Sequence, residues 1–555
     1  MFKYLMTKPR KFWGVITLMV VDGLALTCWS FLYQLIVDTA MGKGNWQFGT
    51  LALFISGYII VMDLIFVADM YLRKSLLFEA VANVRKQIVA TTARLSPAEF
   101  GRVGVGGIIA KLTKQLDKVE TEYFREWMMV ISRAFTGTFA LIGTLMLNPL
   151  VTLIALLLCI PTLVLPLVTK KAIGRASAAQ VAQIERYTNR ITDLLSGFTT
   201  LKYALMPGTL ITQHAQANTA LLQTQRKNEQ INQIANGLSI FFNDIMTVMI
   251  WVVGAILVQK QMMGMGQLVA FANLTNFMTW PLTELTQSIP AIISGKKAGE
   301  IILEFIDSPR AEEGGVPAPA GPITFTTRDL GLTIDDHEIL RDVNLELTQA
   351  KKYLLVGASG GGKSTLVRLL LGEMAPTTGT ATLLDVPAAD LARDAVYGRV
   401  GLLAQRGYVF AGTVRENMTL FADGYADGAI TAAMARAGLT EWLAQHSLEI
   451  KISEAGGELS GGEKQRLALA RLFLRGYDFY IFDELTTGLD PQIADQLLRD
   501  LGAMPQGFLM ITHTYNHDAF LAADEILVVK DGQLATRGQL ADPAVQQELH
   551  ALAMI

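Results

Sequence analysis

Residues 357–365 read GASGGGKST, between the apolar run Tyr353-Leu354-Leu355-Val356 and the run Leu366-Val367-Arg368-Leu369-Leu370-Leu371. The order predicts a buried strand, a glycine-rich turn and a helix start. Gly357, Gly362, Lys363 and Ser364 fit the spacing G-x-x-x-x-G-K-[ST], in which backbone N–H groups wrap a polyphosphate that also faces the positive end of the helix. In this reading Gly357, Ser359, Gly360, Gly361, Gly362 and Thr365 belong to the cradle. Lys363 reaches the outer phosphates, and Ser364 offers its hydroxyl to magnesium.

The chain has 555 residues, 51% of them hydrophobic, and a formal net charge of −3. With a mean hydropathy of +0.34 it is too apolar to be wholly water-soluble, so part of it is expected in lipid. Nothing in the overall charge points to a nucleic-acid partner. The two cysteines, Cys28 and Cys159, each sit in an apolar run and suggest neither a disulfide framework nor a metal site. The start of the chain lacks the pattern of a removed signal peptide, and Met1–Lys11 reads instead as a short interfacial helix.

Six stretches are long enough to span a bilayer, for which a helix needs about 20 apolar residues. They lie near Phe12–Val37, Thr50–Tyr71, Trp127–Leu147, Leu150–Val168, Gly237–Val258 and Gly266–Ile289. Asn148-Pro149 and the region of Gly264 leave only tiny turns within two pairs. Within 1–307 the long intervals 72–126 and 169–236 carry most of the basic residues, which places them and both termini in the cytoplasm. Few breakers interrupt these intervals, so the membrane helices are expected to continue into the cytoplasm. The Pro/Gly/Ala-rich segment 308–322 reads as a linker between a membrane domain, 1–307, and a soluble domain, 323–555. In the latter, strand-like runs at Ile323–Phe325, Leu354–Val356, Phe479–Phe482, Phe508–Ile511 and Glu525–Val529 alternate with helical ones, which suits a largely parallel sheet.

Further motifs follow in order. Gln405 closes the strand-like run from Val400, where its carbonyl can meet magnesium and an attacking water. Ser460, Gly461, Gly462 and Glu463, in LSGGE, open a helix. Asp483 and Glu484 end a buried strand; Asp483 would hold magnesium through water, and Glu484 would orient or deprotonate the attacking water. His513 follows another strand and can donate to a terminal phosphate.

This order resembles the nucleotide-binding domain of ATP-binding cassette (ABC) transporters, and with six preceding spans it is similar to an exporter-type half-transporter. The resemblance implies a membrane all-α domain, with six transmembrane helices extended into the cytoplasm, fused to an α/β P-loop ATPase domain. It also implies bound ATP and Mg²⁺, a bacterial plasma-membrane location, and a chain that works as a pair with an identical or related half. Gln405 then corresponds to the family's Q-loop, Ser460–Glu463 to its signature, Thr487–Asp490 to its D-loop with Asp490 at the nucleotide, and His513 to its switch histidine. Ser96–Asp117 and Asp193–Ala204 resemble the coupling segments, received near Glu454. The activity implied is ATP-driven export of an amphipathic small molecule, lipid or peptide. An importer of the same fold, an ATP-gated channel and a regulatory ATPase are the alternatives.

Three departures stand out. Leu332 occupies the position where the family stacks adenine on an aromatic ring, with His337 a distant substitute. Glu463 stands where glutamine is commoner, and the D-loop reads LTTGLD. Asp22, Asp63 and Asp244 fall inside predicted spans, where a charge costs roughly 2.5–3.5 kcal/mol. They mark either a cation-attracting substrate cavity or hydrogen bonds between helices, to neighbours such as Asn243 and Thr27.

Overall fold

A computed structural model of the chain divides into two compact units, one of Met1–Thr92 with Val105–Ser308 and the other of Ala93–Gly104 with Pro309–Ile555. The structure describes every residue except 44–45, 309–314, 359, 405–406, 454–455, 486–490, 514 and 555; the side chains at 162–163, 166–167, 282–283 and 285–287 also lie outside the description.

The first unit is built of long helices: α1 (Pro9–Ala40), α2 (Phe48–Thr92), α3 (Pro97–Leu147), α4 (Pro149–Ser196), the short α5 (Phe198–Tyr203), α6 (Pro207–Gln259) and α7 (Met265–Asp307). Among the described residues α1, α2, α3 and α6 are long and apolar enough to cross a membrane, and Pro149–Pro161 forms a shorter apolar stretch. Proline stands in the first turn of α1, α4 and α6, where its missing N–H costs nothing. The turn between α3 and α4 is small because Asn148 caps the new helix, its Oδ1 accepting from the N–H groups of Leu150 and Val151, both at 3.1 Å. α3 is broken at Gly104, whose φ of 68° an L-residue rarely adopts.

Lipid supplies no hydrophobic drive between helices, so close approach at small residues has to hold them together. A Cβ placed on Gly23 would lie 3.2 Å from the Thr136 backbone, and one on Gly137 would lie 3.0 Å from Pro281 Cγ. The N-terminal segment differs from the interfacial helix expected of it. Only Phe2–Tyr4 forms a 3₁₀ turn, and Tyr4 and Leu5 are buried. The Tyr4 hydroxyl bonds Gln87, while Lys8 and Lys11 pair with Glu79 at 3.2 and 2.6 Å, so the basic residues serve α2.

In the second unit the strands are β1 (Thr324–Ile334), β2 (His337–Thr348), β3 (Lys352–Gly357), β4 (Thr378–Leu383), β5 (Val386–Pro387), β6 (Val400–Leu403), β7 (Gly412–Thr413), β8 (Lys451–Ile452), β9 (Phe479–Asp483), β10 (Gly507–Thr512), β11 (Glu525–Lys530) and β12 (Gln533–Gly538). The central sheet has the order β12-β11-β3-β10-β9-β6, parallel except for β12. Its inner strands are buried on both faces, as their unbroken apolar runs require.

Ile323–Phe325 does not join that sheet. It enters β1 of a separate antiparallel sheet, β2-β1-β4-β5. The reason is the turn at Asp335-Asp336, with φ values of 47° and 62°: a two-residue link of this hand returns the chain antiparallel. The two sheets share a core in which the Phe325 ring meets Phe479 edge-on at 5.5 Å, both residues fully buried. Linker residue Val316 is bound to the second unit, its N–H donating to Asp390 O at 2.7 Å. Phe325→Ala would open a cavity between the sheets and is expected to cost about 3–5 kcal/mol. The check is a lowered melting transition of the full chain with its helical content retained.

Candidate functional site

Parallel strands end together, so the residues that follow them gather along one edge of the sheet. Val356 pairs with Thr512 and with Val528, and Asp483 pairs with Ile511. This register sets the loop after β3, the Asp483-Glu484 pair after β9 and His513 after β10 side by side. The edge is where the sequence reading places the polyphosphate.

After β3 the chain turns at Gly357 and enters α8 (Lys363–Leu370). A Cβ on Gly357 would strike the Val529 carbonyl, and Gly362 has a φ of 91°. Only glycine serves at these two points. The loop folds round the Lys363 ammonium, whose Nζ donates to the Gly357 and Ala358 carbonyls, both at 2.8 Å. Burial pushes the Lys363 pKa down, and the charges of Glu484 and Asp483 oppose that shift. Ser364 follows at the helix start with its side chain exposed, making no hydrogen bond among the described residues.

Asp483 is pushed above the usual carboxylate range, by burial first and by Glu484 second, with Lys363 acting against both. Its carboxylate has no hydrogen-bond partner among the described residues. Glu484 takes a φ of 55°, its N–H donating to Ile511 O at 3.1 Å and its carbonyl accepting from Gln465 Nε2 at 3.1 Å. The carboxylate lies 2.8 Å from His513 Nδ1. These groups fit a nucleotide with its divalent cation. A half-buried carboxylate beside a second acid, with a free hydroxyl at the helix start, is a donor set suited to magnesium. Such an ion takes few protein ligands and completes its shell with phosphate and water. Among the described residues no cluster of three or more His, Cys, Asp or Glu could bind a metal alone.

α9 (Gly461–Arg475) starts at Ser460 with a reciprocal cap. The Ser460 N–H and hydroxyl both donate to Glu463 Oε2 at 2.7 Å, and Glu463 N–H returns a bond to Ser460 Oγ at 3.3 Å. Glu463 thereby completes a capping box, a role that glutamine at this position would also fill. Burial pushes the Glu463 carboxyl up, but the Ser460 bonds outweigh it and hold the group below its ordinary value. Gly461 is exposed with open space round its Cα, and Gly462 follows it in the first turn.

Arg471, which the sequence reading passed over, fixes α9 from below. Its Nε and Nη2 donate to Asn417 O and Oδ1 at 2.7 and 2.9 Å, and its Nη1 donates to Tyr408 O at 2.5 Å. Burial brings its pKa down to about 10. The bonds tie α9 to the segment that follows Gln405. Gln405 itself, Ser359, Glu454 and Asp490 with the rest of the D-loop fall outside the described residues. Leu332 is buried and paired with Leu340, so it presents no face to a base; Ile334 and His337 beside it are exposed.

The three membrane aspartates do not converge on the cavity of the first unit. That cavity, about 440 Å³, is lined by Arg133 and Glu284 among others, and Asp22, Asp63 and Asp244 are absent from its wall. Asp63 and Asp244 are exposed on the outside of the single chain and Asp22 is half-buried. Arg133 and Glu284 lie inside the predicted third and sixth spans. The criterion applied to the aspartates, a charge within an apolar run, would have found them.

The family model described as ABC transporter transmembrane region matches residues 12–282, and the one described as ABC transporter matches 340–487. The chain is 24% identical over 485 residues to the glutathione/L-cysteine transport system ATP-binding/permease protein CydC of Escherichia coli (strain K12), covering 85% of this chain and 83% of that one. It is 24% identical over 507 residues to a fatty acid ABC transporter ATP-binding/permease protein of Mycobacterium bovis, covering 89% and 79%. An uncharacterized ABC transporter ATP-binding protein of Bacillus subtilis, YwjA, is 29% identical over 314 residues, 55% of this chain and 54% of the relative. The chain thus spans about half the length of that protein, and likewise of y4gM from Sinorhizobium fredii. A solved bacterial Atm1-family ABC exporter with ATP bound shares the fold, with a TM-score of 0.83, 20% identity, and 98% and 96% coverage.

Two outcomes are expected. A carboxyl whose folded pKa is raised costs stability once pH exceeds its ordinary value of 3.8, so Asp483→Asn should raise the nucleotide-free melting temperature at neutral pH while abolishing magnesium-dependent turnover. Glu463 has the opposite sign. Its contribution is present above the ordinary value of 4.5 and is lost as pH falls through the lowered folded value, so Glu463→Ala should destabilise the chain less in acid than at pH 7. Thermal unfolding scans across pH check both.

Proposed function

The chain belongs to the ABC transporters, and from that membership we propose that it is one half of a dimeric pump in which ATP hydrolysis drives an amphipathic solute out across a bacterial plasma membrane. The observation that carries this reading is the meeting of Lys363, Asp483, Glu484 and His513 at one sheet edge, in a chain with a single phosphate loop and a single LSGGE helix.

Lys363 leaves its own loop carbonyls to hold the outer phosphates, with Gly357, Ser359, Gly360, Gly361, Gly362 and Thr365 forming the cradle. Ser364 and Gln405, with Asp483 through water, would hold a magnesium ion, which would supply neutralisation of the phosphate charge. Glu484 positions the attacking water and accepts its proton. His513 holds Glu484 in place and donates to the terminal phosphate. The positive end of α9, with Ser460, Gly461, Gly462 and Glu463, together with Asp490, serves the phosphate loop of a second chain, identical or related.

Closing two such units about ATP biases the membrane helices toward one side, provided ATP binds the closed form more tightly than the open one. Ser96–Asp117 and Asp193–Ala204 relay that closure, a role supported for the first by the grouping of Ala93–Gly104 with the second unit. Both termini and the second unit lie in the cytoplasm. The relatives named for their cargo differ in it, so the cargo has to be sought in the membrane unit itself.

Glu484→Gln in the purified, reconstituted protein should retain ATP binding and lower turnover by about 10²–10⁴-fold. Turnover near that of the unaltered dimer would remove Glu484 from its role.

A further inference from the structure

The cavity of about 440 Å³ in the membrane unit falls within the 300–1,000 Å³ typical of small-molecule sites. Val130, Leu141, Leu156 and Met278 make most of its wall apolar, and Arg133 and Glu284 contribute one charge of each sign. Arg133 Nε donates to Glu284 Oε2 at 3.0 Å, and the guanidinium carbon sits 3.8 Å from the centre of the Trp280 ring.

The pair is joined by this one bond. The two Nη groups of Arg133 and Oε1 of Glu284 make no hydrogen bond among the described residues, although the side chains are only 22% and 31% exposed. An arginine–carboxylate contact made for stability alone is commonly bidentate. Here donor and acceptor capacity on both partners is left over beside the cavity, and the cation–π contact with Trp280 can hold the guanidinium in place when Glu284 turns away. Asp22 is in electrostatic range of Arg133 but does not line the cavity. Glu126 is occupied by the Ser288 hydroxyl at 2.8 Å.

We propose that this cavity binds a small molecule with an α-amino acid head and an apolar side chain, its carboxylate on the Nη groups of Arg133, its ammonium on Glu284 and its side chain against Val130, Leu141, Leu156 and Met278. Charge balance decides the class. Arg133 and Glu284 sum to zero, so an added anion or cation would leave an unpaired charge in a low-dielectric site, which desolvation strongly disfavours, whereas a zwitterion leaves none. Because Arg133 and Glu284 touch, the two charges of the ligand must also be adjacent, as they are on one α-carbon. The proposal names the cargo class for the pump proposed above and rests on that reading for its direction of movement, though not for binding.

The test is equilibrium dialysis of the full chain in nanodiscs, with empty nanodiscs subtracted, against radiolabelled L-leucine, N-acetyl-L-leucine and L-leucinamide. L-leucine should bind at least tenfold tighter than either blocked analogue. Glu284→Gln should weaken L-leucine at least tenfold and make the N-acetyl anion the preferred probe, and Arg133→Gln should make the amide cation preferred. Arg133→Lys keeps the charge and should preserve the original order, which provides the comparison if Arg133→Gln does not assemble. An equal loss of all three probes in both variants would mean that the pair is structural. Absence of L-leucine binding in a preparation that hydrolyses ATP would overturn the site while leaving the pump standing. Binding without ATP turnover, both in the chain alone and in the chain paired with a related half, would instead overturn the pump and leave the site.

Discussion

The Lys363 ammonium, wrapped by the carbonyls of its own loop, is the contact on which this edge of the central sheet depends. Asp483 and Glu484 are adjacent and partly buried, an arrangement that like-charge repulsion and desolvation both oppose. A cation held beyond the end of β3, across β10 from the acids, makes it tolerable. The loop can bring that cation in because Gly357 passes against the Val529 carbonyl and Gly362 turns left-handed. The central sheet is parallel for the same reason: only parallel strands deliver a loop, an acid pair and a histidine to one edge from three separate stretches of chain.

The membrane unit meets a different constraint. Its helices are apolar on nearly every side, so hydrophobicity fixes neither their faces nor their partners, and specificity has to come from small residues and from charges. Gly23, Gly137 and Gly143 leave room for neighbouring helices, at Gly23 for the Thr136 backbone, while Asp69–Arg73 and Arg133–Glu284 place opposite charges within reach. The two pairs differ in kind. Asp69 is buried and its pair lies within α2, one turn apart; Arg133–Glu284 joins α3 to α7 beside a cavity. The first can stabilise a helix wherever its neighbours go. The second couples two helices whose relative position changes if the cavity opens.

What the sequence disclosed follows from the range of each signal. The phosphate loop, the acid pair, the LSGGE helix start and the apolar stretches are local patterns whose chemistry needs fixed spacing. The six long helices and the central sheet were legible from them. The β1–β2 hairpin was not, because Asp335-Asp336 is a weaker turn signal than Asn-Gly and because both strands carry irregular register. Nor was the Arg471 clamp, whose partners Asn417 and Tyr408 lie 54 and 63 residues away along the chain. A basic N-terminal segment fits a membrane surface and an acidic helix equally well by composition. The choice of Glu79 as its partner is made by tertiary packing.

Leu332 shows how a departure from a family pattern can be structural. It pairs with Leu340, and Leu340 Cδ2 lies 2.7 Å from where a Cβ on Gly362 would be. Both leucines are buried in the core that backs the phosphate loop. An aromatic ring turned outward at 332 would take its side chain out of that core, and the register shifts around Leu330–Thr333 are the local adjustment that turns leucine inward. The side chains that remain at the surface beside it are Ile334 and His337, an aliphatic group and an imidazole at the hairpin end. A base packed there gains dispersion and apolar contact with less of the ring overlap that an aromatic platform supplies. A nucleotide at this edge would therefore lean on its phosphates, and the burial of Lys363 against backbone carbonyls is the device that keeps that end of the loop formed.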